Sequence, residues 1–305
     1  MKAHRLSVVV GLALFAIAIW ILIHEVGTLG PGRVAAAFRQ ERRGALSLAL
    51  ALVALNYAVL TLHDQLAVAY VGRKLSRWRV SVASFVGFAV SNTMGFGVLS
   101  GATVRYRFYR RWDLNAAELS RIVAFYSGSI WLGLLVLGGL SLAVDPAPAM
   151  TTFVPAPTSR AAGVLLIAIA VAYVVACRIR RTPLRIGRFE LPLPSPGMAL
   201  AQIGVSTADW MLAASILFSL LPSPRPSYFS VAGAFAAAQL MGLVSHVPGS
   251  VGVFEGLMIL FLKPAVDSAQ LLQTLLLFRV LYYLVPLVVA LVALAVHEAR
   301  KVGHT

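Results

Sequence analysis

A glycine-broken apolar motif occurs twice in this chain, and it constrains the fold more than any other feature. The stretch VSNTMGFGVLSG at residues 90–101 returns as VSHVPGSVGVFEG at residues 244–256, with one residue inserted between the paired glycines. Each copy is followed by an arginine, Arg121 or Arg279, near the start of a long apolar segment. Apolar segments broken at corresponding places in two halves are typical of membrane proteins built from inverted repeats. The predicted repeats cover residues 82–144 and 229–296.

The composition agrees with a membrane protein. Of the 305 residues, 59% are apolar and 12% are charged, against roughly 25% charged in soluble domains. Six apolar runs are long enough to cross a hydrocarbon core of ~30 Å as helices. These runs are residues 6–23, 45–71, 116–144, 161–177, 198–221 and 271–296. The first follows basic residues and lacks a nearby cleavage site, so we interpret it as an uncleaved helix.

The predicted fold class is an all-α polytopic membrane protein, with a single membrane domain over residues 1–305. It has about six transmembrane helices and two re-entrant hairpins, whose helices are broken at the duplicated motif. We expect residues 82–94 and 228–246 to run into the two breaks rather than to cross fully.

Charge predicts the orientation. With the N-terminus in the cytoplasm, 18 of the 26 Lys and Arg residues fall on the cytoplasmic side, as the positive-inside rule requires. The two hairpins then enter from opposite sides. The loop PGRVAAAFRQERRG disagrees, since Arg33, Arg39, Arg42 and Arg43 fall outside. Either this loop is a short amphipathic helix on the outer headgroups, or the first two spans are misplaced.

The two breaks predict a polar cavity. Backbone that leaves the helix at membrane depth is tolerated where it is buried in protein or lines a watered cavity. Helix N-termini after Gly97 and Gly252 would present amides suited to a phosphate. The alternative is that the glycines serve tight helix packing. The candidate residues at the breaks are Asn92, Gly95, Gly97, Ser100, Gly101, His246, Pro248, Gly249, Gly252 and Gly256.

Four ionisable residues inside the apolar segments are further candidates: Asp64, Asp209, Glu255 and Arg279. Such groups cost roughly 2.5–3.5 kcal/mol each at the centre of an inserted helix, so they mark functional pathways by default. The alternative is a buried pair, such as Arg279 with Glu255, that fixes helix packing.

A basic cluster follows the first break. For Arg105, Arg107, Arg110 and Arg111 we favour a positive-inside clamp over capture of a lipid phosphate. Tyr282 and Tyr283, beside Arg279, are packing aromatics or interfacial anchors. We interpret His63 and His246 as polar lining, because no metal-ligand spacing surrounds them.

Several function classes find no support in the sequence. The net charge of +15 is explained by topology and anionic lipid rather than by nucleic acid. Neither a P-loop nor a catalytic motif is present, so we expect no cofactor, no metal and no enzymatic activity. The expected partners are membrane phospholipids, and the oligomeric state is left open.

Five stretches resemble the N-terminal membrane domain of the bacterial multiple peptide resistance factor proteins, the lysyl-phosphatidylglycerol synthase/flippase family. They are LHDQLAVAYVGRKL, SNTMGFGVLSGATVRYRFYRRWDLNAAELSRIVAF, ALAQIGVSTADWMLAASILFSLLP, SHVPGSVGVFEG and FRVLYYLVPLVVALVALAVHE. The resemblance covers residues 56–298. It places Asp64, Asp209, Glu255 and Arg279 among the family's polar membrane residues, with His63 where a tyrosine often stands.

The resemblance implies a function in the bacterial inner membrane. Family members move aminoacylated phosphatidylglycerol, such as lysyl- or alanyl-phosphatidylglycerol, from the inner to the outer leaflet. Those that also synthesise this lipid continue into a soluble aminoacyltransferase domain, so we expect no synthesis by these 305 residues. Two alternatives stay open. The chain could carry another lipid, such as a hopanoid or a polyprenyl-linked sugar, or be a non-transporting subunit of a separately encoded aminoacyltransferase.

Overall fold

The computed structural model describes residues 30–302, apart from residues 95–96, 181, 183, 187–188 and 246. The helices are α1 (Pro31–Gln40), α2 (Arg43–Tyr70), α3 (Arg77–Met94), α4 (Gly97–Arg110), α5 (Ala116–Val144), α6 (Pro148–Phe153), α7 (Ala156–Ile179), α8 (Pro196–Leu220), α9 (Tyr228–Ser245), α10 (Val253–Leu262), α11 (Ser268–Arg279) and α12 (Val285–Val302). A 3-10 turn at Pro248–Ser250 precedes α10, and a π-helical segment at Val280–Leu284 joins α11 to α12.

The all-α polytopic fold is confirmed. In the described part of the chain, six segments are long and apolar enough to cross a membrane. Five of them match predicted spans, and the first predicted span, residues 6–23, lies outside the described residues. The sixth is Tyr228–Ser245, whose 18 residues suffice for a crossing by length and composition. Re-entrance at this helix therefore stays a prediction.

The basic stretch after α7 contains a small element that the sequence did not indicate. Strands β1 (Leu184–Ile186) and β2 (Phe189–Leu191) pair as an antiparallel hairpin, with Ile186 opposite Phe189. It connects the helices α7 and α8.

Capping residues fix several helix boundaries. Asn115 precedes α5, and its Oδ1 accepts a hydrogen bond from the Glu118 amide at 2.9 Å, while Glu118 Oε2 accepts one from the Asn115 amide at 2.9 Å. This reciprocal box satisfies two donors that the helix start leaves unpaired. Ser195 caps α8 with a single bond, since its Oγ accepts the Met198 amide at 3.3 Å. Pro196 follows at the first helical position, where its missing N–H costs nothing.

Small residues let the long helices cross closely. Helix α5 packs on α7 and α8. A Cβ added at Gly133 would lie 2.5 Å from the backbone of Ser206, and one at Gly163 would lie 2.6 Å from the Gly139 carbonyl oxygen. Close backbone approach through glycine is the usual basis of helix association in lipid. These crossings fix α5 against α7 and α8.

Two helix pairs contain the two copies of the duplicated motif. Helices α3 and α4 pack against each other, as do α9 and α10. The 3-10 turn before α10 contacts α3, and α12 packs on α3 as well. The end of α3 and the second break therefore meet inside the bundle. The same order of short helix, short helix and long helix in the two halves agrees with a duplication, and the inversion of the repeats stays a prediction.

The basic loop PGRVAAAFRQERRG, which disagreed with the predicted orientation, contains helix α1. Helix α1 exposes Arg33 and Arg39, buries Ala37, and packs on α11. This is the helical alternative given by the sequence, and the side of the membrane on which it lies stays a prediction.

Candidate functional site: a polar cavity where the two broken helices meet

A cavity of about 130 Å³ lies where the end of α3 meets the turn before α10. Helices α2, α5, α8 and α9 and the π-helical segment complete its walls. Its polar lining residues are Ser91, Asn92, Tyr126, Ser127, Asp209, Gln239, Ser250, Tyr282 and Tyr283. Both copies of the duplicated motif thus contribute residues to one polar cavity.

Asp209 is the acidic residue of this lining. Its side chain is nearly buried, and Asn56 Nδ2 donates hydrogen bonds to its backbone carbonyl oxygen and to Oδ1, both at 2.8 Å. Its second oxygen, Oδ2, lies 3.5 Å from Nε2 of His63, too far for a good hydrogen bond. In the described part of the chain, Asp209 has no Lys or Arg within ion-pair distance.

Asp64 and Arg105 form a buried ion pair beside the cavity. Arg105 donates from Nε and Nη2 to the carboxylate at 2.8 and 2.7 Å, and both side chains are 0% exposed. The guanidinium lies between the rings of Phe88 and Tyr126, at 4.4 and 4.3 Å from their centroids. The charge of Asp64 is therefore neutralised within the protein, and an arginine is held against two aromatic faces.

The clamp interpretation of the basic cluster is wrong for Arg105. A charge at the cytoplasmic surface would remain solvated, whereas this side chain is fully buried. Arg110 and Arg111 of the same cluster are exposed, as a clamp requires, and Arg107 is half-buried. Arg105 binds Asp64 through Nε and Nη2, and its buried Nη1 has no hydrogen-bond partner among the described residues.

Arg279 and Glu255 form a second pair, as one of the alternatives predicted. Arg279 Nε donates to Glu255 Oε1, and Nη1 donates to the Gly249 carbonyl oxygen at 3.2 Å. Glu255 Oε2 in turn accepts the amide of Gly252 at 2.8 Å. The pair thus ties α11 to the second break. This carboxylate occupies the Gly252 amide, and phosphate binding at the amides that follow Gly252 stays a prediction.

Two glycines of the second break adopt backbone conformations that favour glycine. Gly249 and Gly252 have φ of 61° and 81°, values that side chains with a Cβ adopt at a cost. A Cβ at Gly252 or Gly256 would meet nothing within 4 Å. Tight packing, the alternative given by the sequence, therefore does not explain these two glycines.

The π-helical segment places the two tyrosines. Tyr57 donates a hydrogen bond from its hydroxyl to the backbone carbonyl oxygen of Tyr282 at 3.2 Å. Gln239 donates to the hydroxyl of Tyr283 at 3.3 Å. Single π-helical turns inside longer helices are frequent at functional sites. Here the turn directs both tyrosines into the cavity lining.

The structure separates the sequence-predicted residues into groups. Those in the cavity lining are Asn92, Asp209, Gly249, Tyr282 and Tyr283. Those in buried or half-buried ion pairs are Asp64, Arg105, Glu255 and Arg279. Gly97 and Gly101 lie in the first turns of α4, and Gly252 and Gly256 lie at the start of α10. Gly95 and His246 lie outside the described residues, as do the side chains of Ser100 and Pro248. Arg121 is exposed on α5 and does not line the cavity.

Sequence reasoning missed Asn56, Tyr57 and Tyr126. A signal was present for Asn56, because Asn56 and His63 are seven residues apart in one apolar span. That spacing places them on the same helix face. Both side chains face Asp209.

The site has a definite chemical preference. Its acid lacks a Lys or Arg partner in the described part of the chain, whereas both neighbouring acids are paired with arginine. A buried carboxylate next to neutral donors and aromatic hydroxyls attracts a cation, and an ammonium group can donate up to three hydrogen bonds. The cavity is therefore suited to a small cationic group.

These features define a polytopic α-helical membrane protein with a polar cavity inside its helix bundle. The chain belongs to the family described as the lysylphosphatidylglycerol synthase TM region, whose sequence model matches residues 8–290. It is 36% identical to the uncharacterized protein slr0712 of Synechocystis, over 95% of this chain and 90% of that protein. It is 31% identical to the inner membrane protein YbhN of Escherichia coli, over 86% of this chain and 83% of that protein.

The chain also matches larger enzymes in part. It is 25% identical to the phosphatidylglycerol lysyltransferase of Staphylococcus haemolyticus, over 94% of this chain and 33% of that protein. The 305 residues thus span about a third of the lysyltransferase and correspond to its membrane region. The family resemblance inferred from the sequence is confirmed.

Proposed function

We propose that this protein moves a phospholipid with a cationic headgroup between the leaflets of a bacterial inner membrane. The lipid class that fits is aminoacylated phosphatidylglycerol, which carries an ammonium group and a phosphate. The observation that carries the proposal is the polar cavity between the end of α3 and the turn before α10, with Asp209 in its wall. The match to the membrane region of lysyltransferases supports the choice of lipid.

The surroundings of the cavity support a lipid rather than a soluble cation. Trp131 lines the polar cavity and also two apolar cavities of about 350 Å³ each. One apolar cavity lies between α5, α7 and α8, and the other lies between α5, α6, α7 and α9. In the proposed mechanism the headgroup enters the polar cavity while the acyl chains remain along apolar surface outside it.

Opposite charges of the headgroup would meet different parts of the site. The ammonium group binds Asp209, which has no Lys or Arg partner in the described residues. The phosphate binds the hydroxyl and amide donors of the lining, among them Tyr283, Asn92 and Ser250. The arginines Arg105 and Arg279 act by holding the surrounding helices, because their guanidinium groups already bind Asp64 and Glu255.

The test is outer-leaflet exposure of aminoacylated phosphatidylglycerol in intact cells that make this lipid, with and without the chain. An impermeant amine-reactive probe labels the exposed lipid, and total lipid is quantified in parallel. The matched variants are Asp209→Asn and Asp113→Asn. Asp113 is exposed in the turn before α5 with φ of 57°, where asparagine is equally accepted.

Three outcomes separate the alternatives. Exposure that rises at constant total lipid, and falls with Asp209→Asn alone at equal expression, supports transport. A rise in total lipid together with exposure indicates the non-transporting subunit of an aminoacyltransferase. Unchanged exposure excludes aminoacylated phosphatidylglycerol as the transported lipid, and directs the search to other lipids.

A further inference from the structure

His63 of α2 and Asp209 of α8 meet inside the helix bundle. Both groups are buried, at 1% and 7% exposure of the side chain, and their nearest atoms are Nε2 and Oδ2 at 3.5 Å. His63 Nε2 has no hydrogen-bond partner among the described residues. A buried nitrogen without a partner is costly, so this atom is suited to gain one when a proton or a ligand arrives.

The position of the proton on Asp209 follows from the hydrogen bonds. Oδ1 accepts the amide of Asn56 at 2.8 Å, which keeps this oxygen an acceptor. A proton on the carboxyl group therefore resides on Oδ2, the oxygen that faces His63. Neutral imidazole can accept that proton at Nε2, and imidazolium can donate it back. The two groups can hold one proton between them.

Other ionisable groups around this pair are accounted for within the described residues. On α2 they are Tyr57 and Asp64, and Asp64 is neutralised by Arg105 of α4. Helix α5 contributes Tyr126, and the π-helical segment contributes Tyr282 and Tyr283. At the end of α11, Arg279 is neutralised by Glu255. Tyrosine hydroxyls stay protonated around neutral pH, so these tyrosines donate hydrogen bonds but do not exchange a proton with His63 or Asp209.

We propose that His63 and Asp209 form a proton-binding site that exchanges one proton for the ammonium group of the lipid headgroup. The pair is neutral when it holds the proton and carries one negative charge when it does not. An ammonium group binds the negative form, and the proton leaves into the cavity. No bond of the lipid is broken. This exchange rests on the proposed function, and it would let a proton gradient drive lipid movement in one direction.

The first test needs no lipid substrate. The full chain is reconstituted in phosphatidylcholine vesicles, and its infrared spectrum is recorded from about pH 5 to about pH 9. We expect a protonated-carboxyl band that decreases with rising pH. This band should be lost with Asp209→Asn and kept with Asp113→Asn. With His63→Gln the midpoint of this band shifts by about one pH unit or more. Absence of an Asp209-dependent titrating band, or an unchanged midpoint with His63→Gln, overturns the proton site.

The second test adds the lipid. Lysyl-phosphatidylglycerol is added to the same vesicles in weak buffer, with phosphatidylglycerol as the control that lacks the ammonium group. We expect the release of about one proton per bound lysyl-phosphatidylglycerol and of none with phosphatidylglycerol. Binding without proton release overturns the exchange and leaves the proposed function intact. No binding overturns both, and the infrared titration still reports on the proton site by itself.

Discussion

Arg105 binds both carboxylate oxygens of Asp64 inside the bundle, with Nε and Nη2 at 2.8 and 2.7 Å and neither side chain exposed. Removing one partner of such a pair leaves an uncompensated buried charge. We expect Arg105→Gln to lower the free energy of unfolding by about 3–5 kcal/mol. The measurement is the thermal unfolding midpoint of the protein purified in detergent.

The exposed pair of Arg73 and Glu118 is the matched control for this change. It has similar geometry, with Nε and Oε1 at 2.7 Å, but the arginine lies at the surface, where solvent weakens ion pairs. Arg73→Gln should change the midpoint little, and the double variant Asp64→Asn with Arg105→Gln should recover part of the loss. If Arg105→Gln and Arg73→Gln lowered the unfolding midpoint equally, the buried pair would not stabilise the protein more than the exposed one.

Gly133 allows the close crossing of α5 and α8, because a Cβ there would lie 2.5 Å from the backbone of Ser206. We expect Gly133→Ala to destabilise the protein by roughly 1–3 kcal/mol through overpacking. Gly138→Ala in the same helix is the control, since a Cβ there meets nothing within 4 Å. It should leave the unfolding midpoint unchanged or raise it. Destabilisation by Gly138→Ala of the same size would argue against the crossing.

Glu255 holds the second break through the Gly252 amide and Arg279. With Glu255→Gln the charge that binds Arg279 is lost, so the turn at Pro248–Ser250 should open more often. We expect faster hydrogen exchange at residues 249–253, by about tenfold for a loss of ~1.4 kcal/mol. Glu118→Gln, which removes the same charge at the surface, should leave exchange in this segment unchanged. Protection that survives Glu255→Gln would show that other contacts hold the turn.

Gly252 and Gly256 belong to the same duplicated motif but differ in backbone conformation. Gly252 has φ of 81°, whereas Gly256 lies in the first turn of α10. We expect Gly252→Ala to cost roughly 1–2 kcal/mol through backbone strain, and Gly256→Ala to be neutral or stabilising. Unfolding midpoints of the two variants decide this, and the reverse order would show that close packing governs the motif.

The spans that the structure describes were predictable because each one is a long and predominantly apolar run. Residues 116–144 match α5 at both ends, since Asn115 caps its start and Asp145 and Pro146 follow its end. The first turns of α3 and α11 were less predictable. These helices begin at the polar residues Arg77 and Ser268, several residues before their apolar runs start. Hydropathy gives no signal for these polar first turns.

The partners of the interior charges depend on tertiary contacts. The cluster at residues 105–111 contains four arginines of equal charge. Arg105 and Tyr109, four residues apart, share the helix face that meets Asp64. Which face turns inward depends on how α4 packs, and neither charge nor hydropathy indicates it. The pair of Arg279 and Glu255 was one of two alternatives that the sequence offered, because each is an isolated charge in an otherwise apolar segment.

The most direct test of the central claim uses purified protein, because no separate aminoacyltransferase is then present. The chain is reconstituted in vesicles that carry lysyl-phosphatidylglycerol in the inner leaflet, and an impermeant amine-reactive probe follows its appearance outside. We predict that exposure grows with time in the presence of the chain, about tenfold more slowly with Asp209→Asn, and at an unchanged rate with Asp113→Asn. Exposure that matches protein-free vesicles, or that is equally fast with Asp209→Asn, would contradict the account.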